Sequence, residues 1–173
     1  MAAIPTPSFE EAIAQTRTFL DRLQAGSIPE VEISQTVAEL VGTVAGARGF
    51  FVVYLTDDRS LVDQPQPAVL QGLRQQPDIV GDLLVKNLAM SSAMALYHQR
   101  NQDSAIALKS QRASRRAAVL IQSLELENTT LKLQQLQATI AAGGGEYQDF
   151  LDRWSYDPEQ QQAIAAAVTP LLP

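Results

Sequence analysis

Cysteine is absent from the chain and histidine occurs once, as His98. The first absence excludes a disulfide framework, a thiolate metal site, a cysteine nucleophile and a thioether-linked tetrapyrrole. The second excludes multi-histidine metal centres and leaves a single imidazole for acid–base work. Aromatic residues make up only 6% of the chain, and none lies between Asn101 and Glu146, so that stretch lacks a stacking platform for nucleic acid. Purely apolar runs are short, such as Phe50–Leu55 and Ala117–Ile121, and neither approaches the ~20 residues of a bilayer span. Met1–Ser8 has no lysine or arginine and no apolar run follows it; no secretory signal is expected. No G-x-S-x-G elbow, Walker loop or post-strand G-x-G-x-x-G occurs. These absences favour a non-enzymatic, cytoplasmic protein with no cofactor and no membrane span.

What is present is ordinary globular material: 173 residues, 46% hydrophobic and 18% charged, with a net charge of −6. That is enough chain to bury about 70% of its unfolded surface as one domain over residues 1–173. Helical punctuation dominates. Ser8 and Glu11, then Ser27 and Glu30, stand at capping-box spacing, and Gly26 offers a stop between them. Phe9, Ile13, Thr16, Leu20 and Leu23 recur at helical intervals, as do Val37, Leu40, Val41 and Val44. Gly49–Thr56 is the one strand-like stretch, and Asp57–Ser60 could fold it back as a hairpin near 50–62. The same residues also continue the preceding helical stripe, so both readings stand.

Further along, residues 78–101 make the most apolar segment, with Leu83, Leu84, Leu88 and Met94 among positions covering nearly the whole circumference. Such a helix belongs at the centre of a bundle. Helices follow from Asn101 or Asp103 to about Leu126, and from Asn128 or Thr129 to Gly143–Gly145, the only hinge-like run. Tyr147, Phe150, Leu151 and Trp154 share one face of a further helix, and Asp157 with Gln160 caps the last. The expectation is an all-α fold, a compact multi-helix bundle of about seven helices around a central apolar one.

Charge is not evenly spread. Residues 101–116 sum to +3 while 1–100 carry −4 and 117–173 carry −5. Lys109, Arg112 and Arg116 fall at i, i+3 and i+7 of a helix, with Arg115 beside them. Such a stripe either faces water, balancing acidic neighbours, or holds an acidic protein surface, a phosphate or an anionic membrane. Glu146, Asp149 and Asp152 form the converse acidic run, which either favours a helix amino terminus, docks a partner or loosely holds a divalent cation. Lys86 and Asn87 interrupt the central helix and need partners or a route to water. With His98 they define a ligand groove as the alternative function. His98 lacks a glutamate at the preceding helical offsets, and a helix carboxy terminus accounts for a histidine there by itself.

Three pieces point to relatives: Val85-Lys86-Asn87-Leu88-Ala89-Met90-Ser91, Tyr97-His98-Gln99-Arg100-Asn101, and Gly145 through Trp154. They resemble segments of a small uncharacterised cyanobacterial protein family, over about residues 47–173. The resemblance implies a cytoplasmic protein of a photosynthetic bacterium, linked to photosynthetic complexes, and supplies no activity. The 19 glutamines are in keeping with it. The expected role is therefore an adaptor, assembly or regulatory protein whose Lys109, Arg112, Arg115 and Arg116 engage an acidic partner. The 24 alanines also allow close-packed self-association. A small-molecule site at Lys86, Asn87 and His98, and nucleic-acid binding through 109–116, are the rival readings.

Overall fold

A computed structural model describes residues 6–173, so most of the amino-terminal stretch read for a targeting signal lies outside the described residues. Among the described residues there are nine α-helices, two short 3-10 turns and no strand. They group into two compact units, one up to Leu83 and one from Leu84 to Pro173. The boundary falls inside a helix and not at Gly143–Gly145.

The first unit holds α1 (Phe9–Gln24), α2 (Glu30–Leu40), α3 (Val44–Thr56), α4 (Pro67–Leu73) and the first turns of α5 (Pro77–Arg100). The capping box forms at α1: Glu11 N–H donates to Ser8 Oγ at 3.2 Å, and Ser8 N–H donates to Glu11 Oε2 at 2.8 Å. The second expected box does not form. Ser27 Oγ donates back to the Arg22 carbonyl at 3.2 Å, and Pro29, with no N–H to return, occupies the N-cap of α2.

The strand alternative at 50–56 is closed. Thr43 Oγ1 accepts from Gly46 N–H at 3.1 Å and starts a helix that runs to Thr56. Phe50, Phe51, Val53, Tyr54 and Leu55 are all buried within it, so burial on nearly every side overrides their β preference. Phe50 and Tyr54 stack at i, i+4 with centroids 5.1 Å apart. No hairpin exists near 50–62. Asp57 ends α3, its Oδ1 accepting from Arg59 N–H at 2.9 Å, which gives Asp57 a turn-forming role. α1 and α3 approach closely because α3 carries Gly49, where an added Cβ would lie 2.7 Å from both Ala12 Cβ and the Phe9 carbonyl oxygen.

The second unit holds the rest of α5, then α6 (Ser104–Leu124), α7 (Glu127–Ala142), α8 (Gln148–Arg153) and α9 (Pro158–Val168). The central apolar helix thus starts and ends within one residue of its expected bounds. Val80, Leu84, Val85, Leu88, Ala89 and Ala93 are buried along it. By length and composition alone it could cross a membrane, although half of its most apolar window is buried in the protein. α5 meets α6 through a Ser92–Ser114 hydroxyl pair at 2.8 Å. Asp103 caps α6, its Oδ1 accepting from Ile106 N–H at 3.3 Å. α7 begins at Glu127, so Asn128 and Thr129 lie inside its first turn and do not cap it. It ends at Gly143 in the left-handed region.

Trp154 leaves the helix face it was expected to share with Tyr147, Phe150 and Leu151. α8 stops at Arg153, Trp154 becomes its C-cap, and its side chain is 51% exposed while Tyr147 and Leu151 are buried.

Candidate functional site

The predicted basic face divides once α6 is in place. Ala113, Ala117, Leu120 and Leu124 form its inward side. Arg116 is buried with them at 2% exposure, so it is not available to a partner. The sequence criterion failed here because three helical steps align side chains along a face but do not say how deeply that face sinks. Arg112 is half-buried, and both arginines are already engaged within the chain. Lys109 and Arg115 remain exposed.

Around those two cations the surface is more apolar than the sequence reading allowed. Leu108 is 62% exposed, and Ile106 is exposed nearby. Leu108 and Arg115 are seven residues apart, within about 20° of one another around a helix and some 10 Å along it. The exposed part of α6 therefore carries Ile106 and Leu108 together with the cations Lys109 and Arg115 that follow them.

Lys86, Asn87 and His98 do not converge. Asn87 and His98 share a side of α5 but are separated by eleven residues of continuous helix, about 16 Å. Lys86 lies off that side. All three are half-buried, Lys86 and Asn87 are engaged within the chain, and the His98 ring meets Tyr97 edge-on at 5.3 Å. The ligand groove expected from these residues is not formed by them. Among the described residues no group of three acidic, histidine or cysteine side chains could hold a metal ion.

Two open grooves occur elsewhere. One, of about 510 Å³, runs between α7 and α9 along Gln134, Gln137, Ala138, Ile140, Ala141 and Ala165. Another, of about 230 Å³, lies between α2 and α4 along Ser34, Gln35, Ala38, Gln71 and Gln75. Neither is lined by a charged group that would orient a substrate or activate a nucleophile.

One polar constellation was visible in the sequence only as a helix cap. Asp157 Oδ1 accepts from Gln160 N–H at 2.9 Å, and Gln160 Oε1 accepts from Asp157 N–H at 3.1 Å. The same buried amide donates through Nε2 to the Ala93 carbonyl of α5 at 3.2 Å. A glutamate could complete the box but could not make that third bond, which explains the glutamine. Arg100, at the end of α5, adds a contact of 2.6 Å to Asp157 Oδ2 and also pairs with Glu159. The Arg100 hydrogen bond, followed by the Gln160 N–H, holds the Asp157 carboxyl below the usual carboxylate range. Burial pushes the nearby Tyr156 hydroxyl up to about 12. These groups fasten α9 to α5, and their hydrogen bonds are spent on one another.

Over residues 8–171, nearly its whole length, the chain matches the family described as Uncharacterised conserved protein UCP020893. It belongs to that family. No match was found among curated proteins or among solved structures. Membership bears out the resemblance to an uncharacterised family and extends its reach towards the amino terminus, with α1 and α2 inside the matched region.

Proposed function

We propose that this protein is a non-enzymatic adaptor or assembly factor of the cytoplasm, and that the exposed side of α6 receives an acidic surface of a protein partner. The observation that supports this reading is the exposure of Leu108 beside Lys109 and Arg115. Covering an apolar side chain contributes roughly 25 cal/mol per Å². The flanking cations steer and orient a complementary anionic surface. Arg112 and Arg116, engaged or buried, hold α6 in place and take no direct part.

The test is capture of partners from native lysate on immobilised protein, with the bound species identified by mass spectrometry. L108S and the double variant K109E/R115E change exposed side chains only, so their melting should match the unmodified protein. Each should lower recovery of the same acidic partner at least tenfold. Unchanged recovery by both variants would remove the α6 reading.

A further inference from the structure

We propose that the acidic surface docking on α6 is presented by a second copy of this chain, through its 146–154 segment. The inference rests on the docking reading above and names its partner. The unit from Leu84 to Pro173 carries eight basic and eight acidic residues, so it has no net charge. Its charges are nevertheless segregated. Basic residues concentrate in α6, whereas Glu146, Asp149 and Asp152 outweigh Arg153 around α8, giving that segment a net charge of −2. Asp149 and Asp152 are exposed and a turn apart, and the segment ends on the half-exposed Trp154.

Each surface has what the other lacks. α6 offers the exposed Leu108 with the cations Lys109 and Arg115, and the α8 segment offers the exposed carboxylates of Asp149 and Asp152. The exposed Lys109 and Arg115 pair with none of those carboxylates inside one chain. The unit that bears both surfaces is itself neutral, so the chain's six net negative charges, all in the other unit, are the net charge that opposes association, and the segregated charges of α6 and α8 favour it locally. If α6 of each copy takes α8 of the other, a two-fold axis closes the pair and doubles every contact.

The experiment is sedimentation velocity on the full chain at 1–100 µM in about 50 mM salt, where screening is weak. The unmodified protein should dimerise. K109E/R115E and D149K/D152K, both surface changes checked by melting, should each weaken self-association at least tenfold through like-charge opposition. An equimolar mixture should dimerise again, since one variant then offers two acidic surfaces to two basic ones. A monomer throughout, or a dimer indifferent to either reversal, overturns the inference. A monomeric protein whose partner capture still depends on Lys109 and Arg115 sinks this inference alone. Indifference of both capture and self-association to the α6 changes sinks the docking reading as well.

Discussion

Replacing Gly49 with alanine sets two known effects of opposite sign against each other at one atom. Within a helix, alanine is favoured over glycine by about 1 kcal/mol, so G49A should stabilise α3 if local propensity governs. The added methyl would, however, sit 2.7 Å from Ala12 Cβ, 2.7 Å from the Phe9 carbonyl oxygen and 3.2 Å from Ile13 N. Carbon contacts are at rest near 3.5–4.0 Å, so α1 and α3 would have to separate by the better part of an ångström. Two of the three obstructing atoms are backbone and cannot rotate aside. Overpacking of this kind costs about 1–3 kcal/mol, to which the loosening of contacts around the crossing adds. The net expectation is a loss of about 1–2 kcal/mol, or roughly 2–8 °C in Tm for a chain of this size. Urea and thermal melts followed by circular dichroism measure it. Gly144, with no atom within 4 Å of an added Cβ and no left-handed backbone, supplies the control. G144A should be neutral or stabilising by up to about 0.5 kcal/mol. A G49A protein as stable as the original would refute the steric account of the α1–α3 crossing.

Adjacent arginines of α6 should respond very differently to charge reversal. R116E places a carboxylate where the fold buries a guanidinium and should cost about 3–5 kcal/mol, a large share of the ~5–15 kcal/mol total, whereas R115E should stay within about 0.5 kcal/mol; equal melting of the two would contradict the assignment of Arg116 to the inward side. Thr139 Oγ1 donates to the Gln135 carbonyl at 2.8 Å and accepts from Tyr147 N–H at 3.2 Å in a buried position. T139V should therefore lose about 1–3 kcal/mol in denaturant titration, and a neutral result would show that the 143–147 turn is not fastened there. Asp157 is depressed by Arg100 and the Gln160 N–H, so its contribution is complete above the unfolded carboxylate value of about 3.9 and fades as pH falls through the lower folded value. Amide protection factors in the first turn of α9, with the intrinsic pH dependence of exchange divided out, should fall on acidification below about pH 4, and D157N, which keeps the cap without the titration, should flatten that change. Identical pH profiles would mean that Asp157 does not couple α9 to acid.

Much of the architecture was legible along the chain because helices announce themselves locally. Ser8 with Glu11 and Asp157 with Gln160 are reciprocal caps separated by three residues, and both form. The apolar circumference of residues 78–101 demanded a buried helix and became α5. Local chemistry was insufficient where long-range contacts choose between states. The β-rich residues 50–56 are helical because all but Val52 and Thr56 are buried, on nearly every side of the segment. Ser27 missed its cap because the Arg22 carbonyl, five residues back, captured its hydroxyl. Trp154 surfaced because its helix ended one residue before it.

The surface was decided last, and only in three dimensions. Periodicity correctly placed Lys109, Arg112 and Arg116 on one side of a helix, but depth of burial is set by neighbouring elements, and it withdrew Arg116 while leaving Leu108 in water. Spacing likewise placed Lys86, Asn87 and His98 on the same helix, yet rigid helical rise keeps them too far apart to share a small ligand. Helix-forming tendency, capping and charge distribution are properties of short stretches and belong to the sequence alone. Which charges meet solvent, and which glutamine must donate as well as accept, follow from packing between segments far apart in the chain.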